Sequence, residues 1–124
     1  MQKTKTLLVV DDDPQFRKLM RSAFKKEGVL VMEATNGNEC LEMCENCQPS
    51  ILLIDIVMPE KDGVSAIKEI RSRYEHMKII AISGGYVFTP GAYLDEAKNV
   101  GADAVFKKPL NLSALVSTVR GYLE

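Results

Sequence analysis

Short apolar runs alternate along the chain with segments in which apolar residues recur every three or four positions. The apolar runs, each of strand length, are residues 7–10, 29–34, 51–54, 79–82 and 104–107. The segments between them have the periodicity of amphipathic helices, and the first carries Phe16, Leu19, Met20, Ala23 and Phe24 on one side. Five strand–helix repeats with short connections predict an α/β fold whose parallel sheet is covered by helices on both faces.

Capping and turn residues mark where several of these elements begin and end. Asp13 is suited to cap the first helix, Pro14 to occupy its first turn and Gly28 to end it. Loops are predicted at 58–63 and 86–91, and a fourth helix is predicted at 92–100. The connections are short enough for the whole chain, 1–124, to form one domain.

Polar residues that can bind ligands or take part in catalysis follow the ends of the predicted strands. They are Asp11 and Asp12 after the first strand, Asp55 after the third, Ser83 after the fourth, and Lys107 and Lys108 at the end of the fifth. Ligands of open α/β sheets bind at this edge. If the first and third strands are neighbours, three carboxylates meet there and require a cation, and Mg²⁺ is a hard ion that prefers oxygen ligands. A lysine and a hydroxyl beside them complete a set suited to phosphoryl transfer.

The composition of the chain limits the classes of protein to which it can belong. The 124 residues include 16 Lys or Arg and 17 Asp or Glu, and the net charge of −1 gives no general attraction to nucleic acid or to an anionic membrane. No apolar run approaches the roughly 18–20 residues that cross a bilayer, and the run at 7–10 is too short for a signal peptide. Three cysteines in a domain of this size do not indicate disulfide bonds, and a cytoplasmic protein is expected.

Four motifs in the right order resemble the receiver domain of two-component response regulators, and the resemblance covers the whole chain. The motifs are LLVVDDDP at 7–14, LLIDIVMP at 52–59 with Gly63, IIAISGG at 79–85 and FKKPL at 106–110. The resemblance implies a flavodoxin-like, doubly wound sheet of five parallel strands in the order 2-1-3-4-5 with five helices. It also implies one receiver domain over 1–124, with no output domain in this chain.

The resemblance assigns roles to the residues at the strand ends. Asp55 would be the phosphoacceptor, with Ser83 and Lys108 contacting the phosphoryl group. The metal ligands for Mg²⁺ (or Mn²⁺) would be Asp12 directly, Asp11 mainly through water, Asp55 and the backbone carbonyl of Ile56. Lys107, offset by one position, should point to the other side of an extended strand. The family also has a cis peptide bond at the place of Lys108–Pro109.

A phosphorylation-dependent signalling switch follows from these roles. The phosphoryl donor would be a histidine kinase or a phosphotransfer protein, and the domain would catalyse its own phosphorylation and dephosphorylation without being a metabolic enzyme. The output would pass to a protein target, or to a missing output domain, through helix four, strand five and helix five. Nucleic acid and membranes are not expected as direct partners. Ala114 and Thr118 stand where dimerising receivers carry charges, although Arg120 is retained, so a monomer is expected.

Two alternative functions belong to other classes of protein. An aspartate phosphatase of the haloacid dehalogenase type would use Asp11 and Asp13, but it needs a larger chain and leaves Asp55 unexplained. A pseudo-receiver would bind partners without phosphorylation, and the complete acidic set with Ser83 and Lys108 argues against it.

Further positions need a separate interpretation. Cys40, Cys44 and Cys47 have the spacing of an iron–sulfur motif, but they lie on a predicted helix, where Cys40 and Cys44 are expected in the core. His76, the only histidine, is expected at the surface. Val105 stands where many receivers have a switch aromatic residue, and Phe106 is offset by one and cannot replace it.

Overall fold

The computed structural model describes residues 5–56, 63–83 and 97–124. Within these ranges the strands are β1 (Thr6–Val10), β2 (Leu30–Ala34), β3 (Ile51–Asp55), β4 (Lys78–Ser83) and β5 (Ala104–Lys107). The helices are α1 (Pro14–Lys25), α2 (Gly37–Cys47), α3 (Gly63–Arg73), α4 (97–100) and α5 (Leu112–Leu123). No helix in the described ranges is long and apolar enough to cross a membrane.

The five strands form one parallel sheet in the order β2-β1-β3-β4-β5. This confirms the predicted α/β class and the strand order that the resemblance implied. The register places Val10 of β1 beside Ile54 of β3, and Asp55 of β3 beside Ile82 of β4. The carboxyl ends of β1, β3 and β4 therefore lie at one edge of the sheet.

Alternating side chains of the central strands build two apolar layers, one on each face. One layer joins Leu8, Leu52 and Ile79 to the buried sides of α2, α3 and α4. The other joins Leu7, Leu53 and Ile80 to α1 and α5. Complete burial of a leucine or isoleucine contributes about 1.5–3 kcal/mol to the free energy of unfolding. The buried side chains of these strands therefore stabilise the packing of the sheet against its helices. The doubly wound arrangement is confirmed.

Local sequence signals position the first helix as predicted. The Asp13 carboxylate accepts a hydrogen bond of 2.9 Å from the Gln15 N–H, which makes Asp13 the N-cap, and Pro14 is the first helical residue. Gly28 follows the helix with φ of +72°, a left-handed conformation that costs glycine little. The turn directs the chain into the edge strand β2.

The beginning of α3 differs from the prediction. The loop was predicted to extend through Gly63, but Gly63 is the first residue of the helix. Its N–H donates a hydrogen bond of 3.2 Å to the Ile56 carbonyl. The rest of the predicted loop, 58–62, lies outside the described residues, as do the loop at 86–91 and the first part of the helix predicted at 92–100.

The amino end of the sheet is tied by a cluster that we call the Arg71 clamp, formed by Arg71, Gly101 and Asp103. The guanidinium donates to the Gly101 carbonyl from Nε at 3.1 Å and from Nη2 at 2.7 Å, and to Asp103 Oδ2 at 2.8 Å. It also donates to the Met77 carbonyl at 2.7 Å. Asp103 Oδ2 accepts a further bond of 2.8 Å from the Ile79 N–H. The clamp therefore joins α3, β4 and the turn before β5.

The three cysteines lie on α2, as predicted. Cys40 and Cys44 are buried in the core, and Cys47 is exposed. A hydrogen bond with Cys44, together with burial, raises the pKa of the Cys40 thiol. Both buried cysteines pack among the apolar side chains of the layer that joins the sheet to α2, α3 and α4. His76 is exposed in the turn before β4, as predicted.

Candidate functional site

The predicted site residues converge at the carboxyl edge of the sheet. Asp11 directly follows β1, Asp55 ends β3, Ser83 ends β4 and Lys108 directly follows β5. Asp11 is 0% exposed, Asp55 5% and Ser83 1%, and these are the polar or charged residues that are buried in the described part of the chain. Burying a charged group is costly unless it is paired, so a buried acidic cluster points to a functional site.

Three carboxylates form the acidic part of this pocket. Asp11, Asp12 and Asp55 each offer an oxygen atom, and these atoms all lie within 4.8 Å of one another. Asp11 and Asp55 are buried, whereas Asp12 is exposed. Their separation and their all-oxygen chemistry fit a hard divalent cation such as Mg²⁺, which leaves part of its coordination shell to water and phosphate oxygens.

Lys108 supplies the positive charge of the pocket. Its Nζ lies 2.8 Å from Asp11 Oδ2 and 3.5 Å from Asp55 Oδ2. Burial of the ammonium group lowers the pKa of Lys108, but the hydrogen bond to Asp11 and the charges of Asp11 and Asp55 outweigh burial, and the net pKa lies above its ordinary value. Lys108 therefore stays charged at neutral pH, while Lys107 is exposed and has no contact with the acidic cluster among the contacts described.

The ends of β4 and β5 are joined at the pocket. The Lys108 N–H donates a hydrogen bond of 2.9 Å to the Ser83 carbonyl, and the peptide bond to Pro109 is cis. The cis bond agrees with the expectation taken from the resemblance. Because of this link, a movement of Ser83 would be passed directly to the backbone that carries Lys108.

Asp11 is held by contacts from three neighbouring segments. Its N–H donates to the Ala34 carbonyl at 3.1 Å, and its Oδ1 accepts from the Asp13 N–H at 2.9 Å. The Arg17 guanidinium donates to the Asp11 carbonyl at 2.7 Å and pairs with Glu33 at 2.9 Å. Arg17 and Glu33 are not among the site residues predicted from the sequence. Arg17 lies one helical turn after the cap, but nothing in the sequence pairs it with a residue of β2.

The backbone of Asp55 and Ile56 lies against the beginning of α3. A Cβ atom at Gly63 would lie 2.4 Å from Ile56 Cα and 2.5 Å from the Asp55 carbonyl oxygen, so only glycine allows this approach. The Ile56 N–H donates to the Ile82 carbonyl at 2.9 Å. The Ile56 carbonyl, a predicted metal ligand, follows Asp55 and accepts the Gly63 hydrogen bond; its role toward a metal stays a prediction.

Val105 and Phe106 lie on opposite faces of the sheet. Val105 packs against the apolar layer of α2, α3 and α4, whereas Phe106 packs against the layer of α1 and α5. The predicted offset is therefore present, and Phe106 cannot take the place of an aromatic residue at position 105. Asp13 is also outside the acidic cluster, because its exposed carboxylate caps α1. That contact removes support from the phosphatase alternative, which needed Asp13 beside Asp11.

Comparison with known proteins also indicates a receiver domain, over nearly the whole chain. The model of the response regulator receiver domain family matches residues 7–120. The chain is 36% identical to the chemotaxis protein CheY of Thermotoga maritima, an alignment that covers 93% of this chain and 94% of that protein. It is also 36% identical to the sensor kinase CckA of Brucella abortus over 96% of this chain, but it spans only 12% of that much longer protein.

A solved structure has the same fold. The CheY-like response regulator receiver domain protein of Methanospirillum hungatei superposes with a TM-score of 0.86 at 27% sequence identity, and the match covers 98% of this chain and 94% of that one. Sequence, fold and the position of the acidic cluster therefore agree, and the chain belongs to the response regulator receiver domain family.

Proposed function

We propose that the chain is a phosphorylation-dependent switch of a two-component phosphorelay, with Asp55 as the phosphoacceptor. One observation carries this proposal: the buried Asp55 carboxylate lies at the end of a central strand, within 4.8 Å of the Asp11 and Asp12 carboxylates and 3.5 Å from the Lys108 ammonium. A nucleophilic carboxylate, clustered acidic ligands and a fixed cation are the groups that phosphoryl transfer needs.

The proposed transfer forms one bond and breaks another. A carboxylate oxygen of Asp55 forms a bond to phosphorus, the P–N bond of a phosphohistidine breaks, and the departing imidazole takes up a proton. Lys108 would stabilise the charge that develops on the phosphoryl oxygens. Hydrolysis of the acyl phosphate by water would later restore Asp55, which accounts for the proposed autodephosphorylation.

Asp11, Asp12, Asp55 and the Ile56 carbonyl would hold the metal ion. Receiver domains of this family bind Mg²⁺ at an acidic pocket, and the oxygen set described above fits that ion. When bound, Mg²⁺ supplies positive charge that lets a phosphoryl group approach the carboxylates. Lys108, held by Asp11, adds its charge from the side of β5.

Ser83 and Lys108 would carry the signal out of the pocket. The phosphoryl group adds charge and acceptor oxygens where a carboxylate stood, and both side chains can donate hydrogen bonds to it. Because the Lys108 N–H bonds the Ser83 carbonyl, the ends of β4 and β5 would move together. We place the output on α4, β5 and α5, acting on a protein target or on an output domain, in a monomeric receiver.

Family membership supports the proposed partners. Response regulators interact with histidine kinases and phosphotransfer proteins, which supply the phosphoryl group. Arg120 on α5 is bonded to Glu27 at the end of α1 within the same chain, which favours a monomer because this charge already has a partner.

The test is the intact mass of the protein after incubation with acetyl phosphate and Mg²⁺. Wild type should gain one labile phosphoryl group, and EDTA or Asp55→Asn should abolish the gain. Asp103→Asn, which changes a carboxylate at the other end of the sheet, is the matched control and should still be phosphorylated. Lys108→Ala should remain phosphorylatable but lose the coupling to output. A folded wild-type protein that gains no phosphoryl group and binds no beryllofluoride would instead support the pseudo-receiver alternative.

A further inference from the structure

The ammonium group of Lys108 contacts an aromatic ring as well as two carboxylates. Its Nζ lies over the Phe16 ring, 4.3 Å from the ring centroid, and is 2.8 Å from Asp11 Oδ2 and 3.5 Å from Asp55 Oδ2. The lysine side chain is 24% exposed. A partly exposed lysine therefore has the Phe16 ring as one of its close neighbours in the pocket.

The position of this ring is fixed by local structure. Phe16 lies in the first turn of α1, which begins at Pro14 behind the Asp13 cap. The ring is partly buried and packs against the apolar layer that contains Met20 and Leu115. A ring anchored in this way can orient Lys108, whereas the long lysine side chain has many rotamers of its own and loses entropy when it is held.

We propose that Phe16 is a positioning residue whose aromatic face holds the Lys108 ammonium over the Asp11–Asp55 pair. An aliphatic side chain at this place would only remove water from the ammonium group, which disfavours its charge. The negative face of an aromatic ring attracts the ammonium group as well as shielding it. The need for a ring, and not merely for apolar bulk, is the testable content of the proposal.

The functional part of this inference rests on the proposed phosphoacceptor role of Asp55. When a phosphoryl group forms on Asp55, the ammonium group has to exchange its contact with Asp11 for contacts with phosphoryl oxygens. A hydrogen bond to one carboxylate oxygen is lost in such a movement. Attraction to a ring face is broad in direction and can persist while the ammonium group slides across it. Phe16 would therefore keep Lys108 in the pocket in both states.

The first measurement needs no phosphoryl group. In the metal-free protein, the ring current of Phe16 should shift the Lys108 ε-methylene protons upfield of the other lysines, with the resonance assigned through Lys108→Met. The shift should vanish in Phe16→Leu and persist in Phe16→Tyr. Equal Lys108 shifts in wild type and Phe16→Leu would overturn the proposed positioning.

The second measurement is the affinity for beryllofluoride with Mg²⁺, followed by ¹⁹F NMR. Phe16→Leu and Phe16→Met should bind the probe about three- to ten-fold more weakly, while Phe16→Tyr and Phe16→Trp should stay within about two-fold of wild type. In a Lys108→Met background, Phe16→Leu should have no further effect, because the ring acts through the lysine.

The outcomes separate the two proposals. Tyrosine and leucine variants of equal affinity, or a leucine effect that persists without Lys108, would reduce Phe16 to a packing residue. A wild-type protein that neither binds beryllofluoride nor becomes phosphorylated would contradict the function proposed for Asp55. In that case the ring-current comparison still decides whether Phe16 positions Lys108. Thermal unfolding of each variant verifies that the native fold is present.

Discussion

The two ends of the sheet each set a cation against carboxylate oxygen, but they are built differently. In the Arg71 clamp, a planar guanidinium meets Asp103 and several backbone carbonyls, and its donors are used within the protein. At the opposite end, the Lys108 ammonium faces Asp11 and Asp55 beside an exposed Asp12. Among the described residues, one ammonium group is set against three clustered carboxylates.

This difference distinguishes a structural ion pair from the ion pair of the proposed reactive site. A network in which each hydrogen-bonding group has a partner holds together the segments that it joins. A cluster of like charges lowers the stability of the folded state. A bound cation removes this repulsion, and such a cluster is therefore typical of a binding site. We therefore expect the contacts at the amino end to stabilise the domain, and the clustered carboxylates at the carboxyl end to lower its stability until a cation is bound.

The largest loss of stability is expected from substituting two glycines, one at each end of the sheet, where the chain packs closely against itself. Gly63→Ala should destabilise the protein by about 2–3 kcal/mol, because the new Cβ meets main-chain atoms of Asp55 and Ile56 that have no room to move. Gly101→Ala should also destabilise the protein, by about 1–3 kcal/mol, because φ is +130° and the Cβ would lie 2.8 Å from Cγ of Arg71, a side chain held by the clamp. Urea denaturation measures both.

The control for these variants is Gly121→Ala on α5, where an added Cβ meets nothing within 4 Å. It should stabilise the helix by about 0.5–1 kcal/mol. Gly63→Ala should also slow phosphorylation, because it displaces the backbone of the proposed phosphoacceptor, whereas Gly101→Ala should not. Equal losses of phosphorylation in both variants would mean that the two ends of the sheet are not independent.

A medium effect of opposite sign is expected from removing one charge at each end. Asp103→Asn should destabilise the protein by about 1–2 kcal/mol, because the charged hydrogen bonds to Arg71 and Ile79 weaken. Asp12→Asn in EDTA should stabilise it by about 0.5–1 kcal/mol, because it relieves repulsion from Asp11 and Asp55. Urea midpoints of the two variants and wild type give both values.

Added Mg²⁺ should stabilise the variants at the two ends of the sheet to different extents. Binding to the folded state alone raises its stability by about 1.4 kcal/mol at ten times the dissociation constant. Wild type and Asp103→Asn should gain this increment, whereas Asp12→Asn should gain less at the same Mg²⁺ concentration. A shift of the same sign for both variants in EDTA would refute the assignment of one end to stability and the other to binding.

The smallest effect concerns Glu39, an exposed carboxylate in the first turn of α2 that does not belong to the acidic cluster. Hydrogen bonds from the Thr35 hydroxyl, at 2.7 Å, and from the Thr35 N–H hold the pKa of Glu39 below its ordinary value. A carboxyl group with a lowered folded pKa contributes stability that is present above its unfolded pKa of about 4.3 and is lost as the pH falls through the folded pKa.

Solvent screening limits this contribution to about 0.5 kcal/mol or less. Glu39→Gln should therefore be slightly less stable than wild type at pH 7, with the difference disappearing at pH 3. Thermal unfolding at both pH values measures it. A difference that remains constant with pH would show that the carboxylate charge is not the cause.

Much of the fold could be predicted because its signals are local. Apolar runs such as 51–54 indicate buried strands, and the Asp13–Pro14 pair indicates a helix start. The boundary at Gly63 was missed because its reason is a close approach to Asp55 and Ile56, and the sequence does not display that distance. Glycine at the end of a predicted loop is typical of a loop, although here the absence of a side chain is what lets the helix begin.

The contacts of the site also divide into those that the sequence predicts and those that it does not. Acidic residues at the ends of apolar strands could be expected to meet, because parallel strands end at one edge. The contacts of Phe16 with Lys108 and of Arg17 with Glu33 could not, because they depend on the rotation of α1 over the sheet. Helical spacing tells which residues share a face, but it does not tell which partner that face meets.

The pocket joins residues that are remote in sequence. Asp11 and Lys108 are separated by 97 residues, yet their side chains form one ion pair. Contacts over such separations close late, after the loop entropy of the intervening chain has been overcome. A chain still emerging from the ribosome would already carry the aspartates of β1 and β3 but would lack the lysine that faces them. A newly made domain would therefore acquire its complete pocket only after the segment that carries Lys108 has been synthesised and packed against the sheet.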